Sequence, residues 1–405
     1  MSNCIKKISL IACIIPSLVF PTLFIGTWTE EITPPIGTPS AGYTDRKGAG
    51  MKGVLDPLLA TALFIDNETK QVIFCSVDHL GFTYEMVQKI TKIVHEKPSL
   101  AYADIFIGSS HTHSGGGSYL NIPFLGEALA GPYNPQIEQF YIEKTAEAIL
   151  KASAKPVQAK IGIGYGVAEK ISHYRGLWPV DITPLPDITV LKIVAMDDTP
   201  LAVFFNYPLH PTILNSDNRF FSADFVGEAR EELKSLLGKS IAPLFFNGAQ
   251  AEILPALNSC KETGLCLAKS IQAIWDQIEV TDSLELLSLK TTYSFKPEKT
   301  PFGLYLPLQN YNSEINLLVI DKRHAFITIP GELSCLYDQS LKETASSLGF
   351  THLSILGLTN DAHGYIILPE AWRHKTYESR LSFGGELYGE FVEKTVTDLL
   401  KQGAL

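Results

Sequence analysis

The chain is short of positive charge, of cysteine and of anything repetitive. Lys and Arg number 33 against 43 Asp and Glu, for a formal net charge of −10. That excess of acid argues against nucleic acid, or an anionic membrane surface, as the main partner. No like-charge block, internal repeat or low-complexity stretch interrupts the 405 residues, and no Gly-, Ser- or Pro-rich linker divides them. A repeat array or a string of loosely tied modules is therefore not indicated, although the length alone would allow two or three domains. After residue 24 no segment is long and apolar enough to span a bilayer. Charged residues make up 19% and hydrophobic ones 45%, ordinary for a protein with a large buried core.

The N-terminus differs. Lys6 and Lys7 precede an apolar run, Ile8 to Phe24, broken by Pro16 and Pro21. This is the pattern of an export signal. Residues 1–24 are expected to be a signal peptide or an N-terminal anchor, and residues 25–405 the working domain. The prolines favour the signal. Leu10-Ile11-Ala12-Cys13 also looks like a lipoprotein cleavage box, with too short an apolar stretch before it. An exported protein, periplasmic or secreted, can keep disulfides. Cys260 and Cys266 flank Lys-Glu-Thr-Gly-Leu, a short loop with a turn glycine, and could form a local disulfide or stay as two free thiols. Cys75 and Cys335 lie in apolar contexts and read as small core residues.

Strand and helix patterns alternate along the rest. Val72–Val77 reads as a strand, Tyr84–Glu96 as a helix with Val87, Ile90, Ile93 and Val94 on one face, and Ala103–Gly108 as a second strand. That spacing predicts a crossover unit with a parallel strand pair. Asn134-Pro135 is an N-cap followed by a first-turn proline, predicting a helix to about Ala154. Hairpins are expected over Met196–Thr199 and over Asp321–His324. Helices are expected over Phe225–Leu237, Leu333–Leu348 and Gly389–Lys401, and strands over Pro243–Phe246 and Leu353–Leu358. The pattern predicts one α/β domain of mixed β-sheets flanked by helices.

Several strands end in ionisable groups, and ligands gather at strand ends in such sheets. The strand from Ala103 runs into Ser110-His111-Thr112-His113 and then Ser114-Gly115-Gly116-Gly117. Residues i and i+2 of a strand share a face, so both imidazoles could project together where glycines allow close approach. Leu201–Tyr207 runs into His210, Ala325–Ile329 into Glu332, and Leu353–Leu358 into Asp361, His363 and Tyr365. Two or three histidines and a carboxylate make a catalytic zinc shell. Taken singly, each has a plain alternative: a loop histidine, a first-turn acid favoured by the helix dipole, a half-buried aromatic.

The order of these pieces resembles the catalytic domain of the neutral (non-lysosomal) ceramidase family, from Gly26-Thr27 to about Tyr388. It includes Ile32-Thr33-Pro34-Pro35-Ile36-Gly37, Asp56-Pro57-Leu58, Ser110-His111-Thr112-His113-Ser114-Gly115, His210-Pro211-Thr212, Ser222-Ala223-Asp224-Phe225, Pro330-Gly331-Glu332 and Gly364-Tyr365-Ile366. The resemblance implies a zinc-dependent amide hydrolase acting on a ceramide-like lipid or related N-acyl substrate, with possible peripheral membrane contact. It implies one Zn2+ per chain, held by His111, His210, Glu332 and Tyr365. His113 would stand beside the metal as acid/base, Tyr377 would contact the reacting group, and Arg175 would match the substrate-side arginine. Cys260 and Cys266 resemble the family's small disulfide loop. The chain departs from the family at Leu254, where the family carries a serine proposed as nucleophile, and at Ala251-Glu252, where it carries Gly-Asp. Metal-activated water would then replace the serine. A non-catalytic lipid- or glycan-binding protein, and a metal hydrolase of a non-lipid amide or ester, remain open on the residues. The apolar stretch Tyr119–Leu125 either walls an acyl-chain site or packs under a loop.

Overall fold

The computed structural model describes residues 22–176, 187–306 and 311–404. The export signal read from the sequence falls almost wholly on residues 1–21, outside the described residues. Leu23 is fully buried and Phe24 opens the first strand.

A large sheet is built from Phe24–Glu31 (β1), Leu59–Asp66 (β2), Gln71–Val77 (β3), Asp104–Ser109 (β4), Val157–Val167 (β5), Asp187–Ala195 (β6), Pro200–Tyr207 (β7) and Ala242–Asn247 (β8), in the spatial order β8-β7-β6-β5-β1-β2-β3-β4. β3 and β4 pair in parallel, as do β7 and β8, and the other contacts are antiparallel. The helix between β3 and β4, Tyr84–His95 (α1), completes the expected crossover. A second sheet, β9 (Leu286–Phe295), β10 (Tyr311–Ile320), β11 (His324–Thr328) and β12 (His352–Leu356), ends in another parallel pair, β11 with β12.

Alternation along the strands decides what packs where. In β10, Leu318 and Ile320 face a core shared with Phe74, Phe106, Phe204 and Phe246 of the large sheet. Leu317 and Val319 face the opposite core, under Cys335–Ser347 (α6) and Tyr388–Gly403 (α7). After the short helix Leu125–Ala130 (α2), Pro135–Ala152 (α3) joins α1 in covering one outer part of the large sheet, and Phe225–Leu237 (α4) with Cys260–Trp275 (α5) covers the other. The result is helix, sheet, sheet, helix. Strands buried on both faces explain the near-continuous apolar runs in the sequence.

The large sheet curls until its edge strands meet. Ser76 Oγ donates to Phe245 O at 2.7 Å. Gly108 faces the Phe246 ring, where an added Cβ would come within 2.4 Å. This seam brings the C-terminal ends of β4, β7 and β8 together, beside those of β11 and β12. A Gly108↔Thr359 bridge joins the two sheets there.

One expectation changes. Cys260 and Cys266 are free, and both lie on α5 instead of flanking a loop. Gly264 between them is no turn residue. Its bare backbone lets α4 approach, and a Cβ would meet Ala229 N at 2.6 Å. Six residues of helix hold the two thiols on different parts of its surface.

Candidate metal centre

The chain leaves β4 at Ser109 and turns through Ser110 into His111, whose φ is 71°. A non-glycine residue in that region is strained and must be held by its surroundings. The His111 N–H donates to His79 O at 2.9 Å, and ring Nδ1 lies 2.7 Å from Leu80 O. A carbonyl only accepts, so Nδ1 carries the proton and Nε2 keeps a lone pair. The expected shared strand face of His111 and His113 is not the cause of their meeting, because β4 ends first. The loop brings them together, Nε2 to Nε2 at 3.3 Å.

His210 follows β7 and is buried. Its N–H donates to Ile253 O at 3.1 Å, and its Nδ1 lies 3.1 Å from the same oxygen. Its Nε2 is therefore the free lone pair too. Both lone pairs meet one carboxylate oxygen. Glu332 Oε2 lies 2.9 Å from His210 Nε2 and 3.3 Å from His111 Nε2. Glu332 is not in a helix first turn. It sits on the short strand Glu332–Leu333, paired in parallel with Tyr365–Ile366, ahead of Ser334, the N-cap of α6. In that pairing Glu332 stands opposite Tyr365.

The electrostatics follow from burial and proximity. Burial works to raise the Glu332 pKa, but His111 and His210 hold it well below the carboxylate range. Burial lowers the His210 pKa, against the pull of Glu332. Two imidazole nitrogens and a carboxylate oxygen thus converge within 4.8 Å of one another, each a metal-ligand atom once deprotonated. The donor set suits a divalent cation, and each ring is oriented through its other nitrogen by a backbone carbonyl, as metal-bound histidines are. Tyr365 OH accepts from Arg175 Nη2 at 3.0 Å. Burial, then Glu332, push its pKa well above 10. Phenolate there needs a cation beside it.

His113 stands apart from this trio. Burial, then His111 and His210, keep its pKa well below 6.5. Its Nδ1 has no partner among the described residues. Arg46 holds its carbonyl, Tyr43 packs edge-on at 4.7 Å, and Gly42 closes the remaining side. Arg175 is fixed by Glu378 Oε1 at 2.9 Å and Ala251 O at 2.7 Å, with its guanidinium 4.3 Å above the Tyr377 ring. Tyr377 is 55% exposed, at the mouth. A cavity of about 140 Å3 opens onto His111, His113, Glu332, Tyr365 and Tyr377, and apolar side chains make up most of the rest of its wall, with Thr83, Tyr311 and His363 among the polar exceptions. Among these are Leu120, Ile122 and Leu125, so the stretch after the histidine loop lines the cavity.

All seven residues singled out in the sequence therefore gather at one place. Sequence reasoning missed Glu378 and Arg46, and it missed Tyr311 and Tyr388, which join Asp361 and His363 in the polar floor of the cavity. Glu378 follows Tyr377 directly and is 2% exposed, and Arg46 is 5% exposed. A buried charge leaves no mark on hydropathy when its neighbours are polar. On the floor, Tyr311 OH donates to Asp361 Oδ1 at 3.0 Å, and His363 Nε2 lies 3.1 Å from Tyr388 OH. Leu254 sits on the short strand Ile253–Pro255, opposite His173, and does not line the cavity.

Known proteins match this chain. The profile of the family "Neutral/alkaline non-lysosomal ceramidase, N-terminal" matches residues 24–243, more than half the chain. The neutral ceramidase of Drosophila pseudoobscura pseudoobscura is 24% identical over 246 residues, covering 56% of this chain and 34% of the relative. Neutral ceramidase A of Dictyostelium discoideum is 24% identical over 225 residues, covering 51% and 31%. The matched region thus spans about a third of these relatives' length. The crystal structure of neutral ceramidase from Pseudomonas aeruginosa superposes with a TM-score of 0.85 at 15% identity, covering 95% of this chain and 74% of that one. A structure described as ceramidase complexed with C2 gives 0.82 at 14% identity, covering 95% and 75%. The fold is shared over nearly the whole described structure, and by its matched residues the chain belongs to the neutral/alkaline non-lysosomal ceramidase family.

Proposed function

We propose that this chain is a zinc-dependent hydrolase of an N-acyl amide bond in a ceramide-like lipid or a related amide. The observation that carries the reading is the convergence of His111 Nε2, His210 Nε2 and Glu332 Oε2, three buried metal-ligand atoms within 4.8 Å of one another. Tyr365 would be the fourth ligand. Bound there, one zinc per chain supplies a Lewis acid for a carbonyl oxygen and lowers the pKa of a water towards about 7.

The chain's own groups do the rest. His113 is held neutral by burial, and its unpartnered Nδ1 can take a proton and later return it to a leaving amine. Leu254 offers no nucleophile, so water is the attacking group. Arg175 and Tyr377 offer donors to the developing oxyanion, worth about 3 kcal/mol for each donor. The leucines and isoleucine of the cavity take an acyl chain and keep bulk water out. Phe124, 92% exposed between Ile122 and Leu125, gives the cavity lip a group for peripheral contact with a lipid surface. Among the described residues no helix is long and apolar enough to cross a membrane. Export rests on the sequence of the first 24 residues.

The test is elemental analysis of the purified chain beside His111→Ala and Glu332→Ala, followed by N-acyl substrates with and without chelator. About one zinc per chain, lost in both variants together with chelator-sensitive amide hydrolysis, is the expected result. Full hydrolysis by His111→Ala would sink the assignment. Leu254 favours one rival, a metal-containing binding protein. Zinc without hydrolysis of any N-acyl substrate, but with retention of the lipid, would select it.

A further inference from the structure

Asn247 ends β8 at the seam of the large sheet and is fully buried. Its side chain makes four hydrogen bonds. Nδ2 donates to Ser110 O at 3.0 Å and to Leu209 O at 2.9 Å. Oδ1 accepts from Leu209 N at 3.1 Å and Gly248 N at 3.0 Å. Two donors and two acceptor positions are all that an amide has, so Asn247 is saturated. Ser110 and Leu209 are the residues immediately before His111 and His210. One side chain therefore grips both histidine loops by their backbones, across the line where the edge strands meet. Asn247 is itself pinned. Its carbonyl accepts from Gly357 N at 2.9 Å and Asn206 Nδ2 at 3.0 Å, which ties it to the second sheet.

We infer that Asn247 is the positioning residue that sets the separation and aim of His111 and His210, so that the metal site is formed before metal arrives. His111 supplies the second reason. Its left-handed backbone persists only if the neighbouring peptide is held, and Asn247 Nδ2 holds the carbonyl of the preceding residue. No other described side chain bonds the backbone on both histidine loops at residues adjacent to the ligands. The inference rests on the reading of this trio as a metal site, and it says nothing about substrate.

The experiment measures zinc affinity by competition with a chromophoric chelator, and the visible spectrum of the cobalt-substituted protein, for the native chain, Asn247→Ser and Asn247→Asp. Asn67→Ala is the control. Asn67 is buried and hydrogen-bonded to Leu284 O, remote from the site. Thermal melts match the variants for stability loss. Affinity is expected to fall roughly 10- to 100-fold in the Asn247 variants, the usual effect of losing a partner that orients a ligand. The cobalt spectrum should shift, and Asn67→Ala should keep native affinity and spectrum. Folded Asn247 variants with native affinity and spectrum would overturn the inference. A native chain that binds no zinc would instead overturn the function proposed above, and this inference with it. Should neither variant fold, the native chain with 15N-labelled asparagine decides. The Asn247 side-chain protons should exchange slowly before zinc is added and shift when it is. Fast exchange in the metal-free protein would refute a clamp formed in advance.

Discussion

The turn that carries His79 and Leu80 hangs from a buried ion pair, and breaking that pair gives a sharp prediction. Asp78 and Arg230 are 0% and 4% exposed. Arg230 Nη1 donates to Asp78 Oδ1 at 2.9 Å and Nη2 lies 2.7 Å from Oδ2, a two-pronged contact between β3's end and α4. Asp78 Oδ2 also accepts from Leu59 N at 2.8 Å. Arg230→Met keeps the aliphatic stem but leaves a buried carboxylate with one backbone donor. Removing one partner of such a pair costs about 3–5 kcal/mol. The Leu59 bond survives, so the lower end, about 3 kcal/mol, is expected. With an m-value of about 3 kcal/mol per M, that moves the urea midpoint down by about 1 M. Asp78→Asn added to Arg230→Met removes the stranded charge and should recover much of the loss. The assay is urea unfolding followed by intrinsic fluorescence on the two singles and the double. His79 O and Leu80 O hold His111, so zinc affinity should fall in the single variant as well. A midpoint shift equivalent to less than about 0.5 kcal/mol in Arg230→Met, the range of surface substitutions, would refute the reasoning.

Gly42→Ala tests the role of His113 beside the metal. Gly42 has φ +107°, and a Cβ there would come within 2.6 Å of the His113 ring. Hydrolysis should fall at least 10-fold with zinc still at one per chain, and parallel loss of zinc would place His113 among the ligands. Asp361→Asn tests the cavity floor. Burial pushes the Asp361 pKa up to about 8, so its stabilising effect is complete below about pH 4 and is lost as pH rises to 8. The amide stays neutral throughout. Its stability relative to the native chain should therefore improve by roughly 1.4 kcal/mol per pH unit across that window and level off above it. A pH-independent difference in urea melts would show that Asp361 is ionised in the native state.

The elements were most readable where one residue type has one use. Asn134 caps α3 and Pro135 begins it, and Gly238 ends α4, as the sequence indicated. The hairpins expected over Met196–Thr199 and Asp321–His324 are also there, the second turning through Asp321–Arg323 with His324 already on the strand and paired with Ile320. β1 and β9 were not legible. The first hides in a Gly- and Thr-containing segment, and the second alternates polar and half-buried residues that suit a loop equally well. The glycine in α5 misled for a related reason. Gly264 answers to the approach of α4, a distant contact no local pattern records. At the site, the ligand types could be read because histidine after an apolar strand is unusual. How they meet could not. That depends on the curl of the sheet at Gly108 and Phe246, on the positive φ of His111, and on backbone carbonyls whose partners lie dozens of residues away.

Leu254 bears on mechanism more than any other departure. Ile253 turns its carbonyl to His210 and its side chain into the core between the large sheet and α5. Neighbouring residues on a strand face opposite ways, so Leu254 points away from that core, on the side of its partner His173, which is exposed. Two mechanisms then give different results for Leu254→Ser. If water attacks and His113 moves the proton, an added hydroxyl is a bystander. Turnover should change less than about threefold, with no burst of product ahead of the steady state. If the family's serine chemistry is latent in this scaffold, the hydroxyl should be activated, and an acyl-enzyme should appear as a burst in stopped-flow and as an added acyl mass on the intact chain. The structure favours the first outcome. Leu254 does not line the cavity, whereas His113 does, and its Nδ1 has no partner among the described residues. A burst of about one product per chain would mean that the strand shifts when substrate binds, and that water is not the attacking group in the variant.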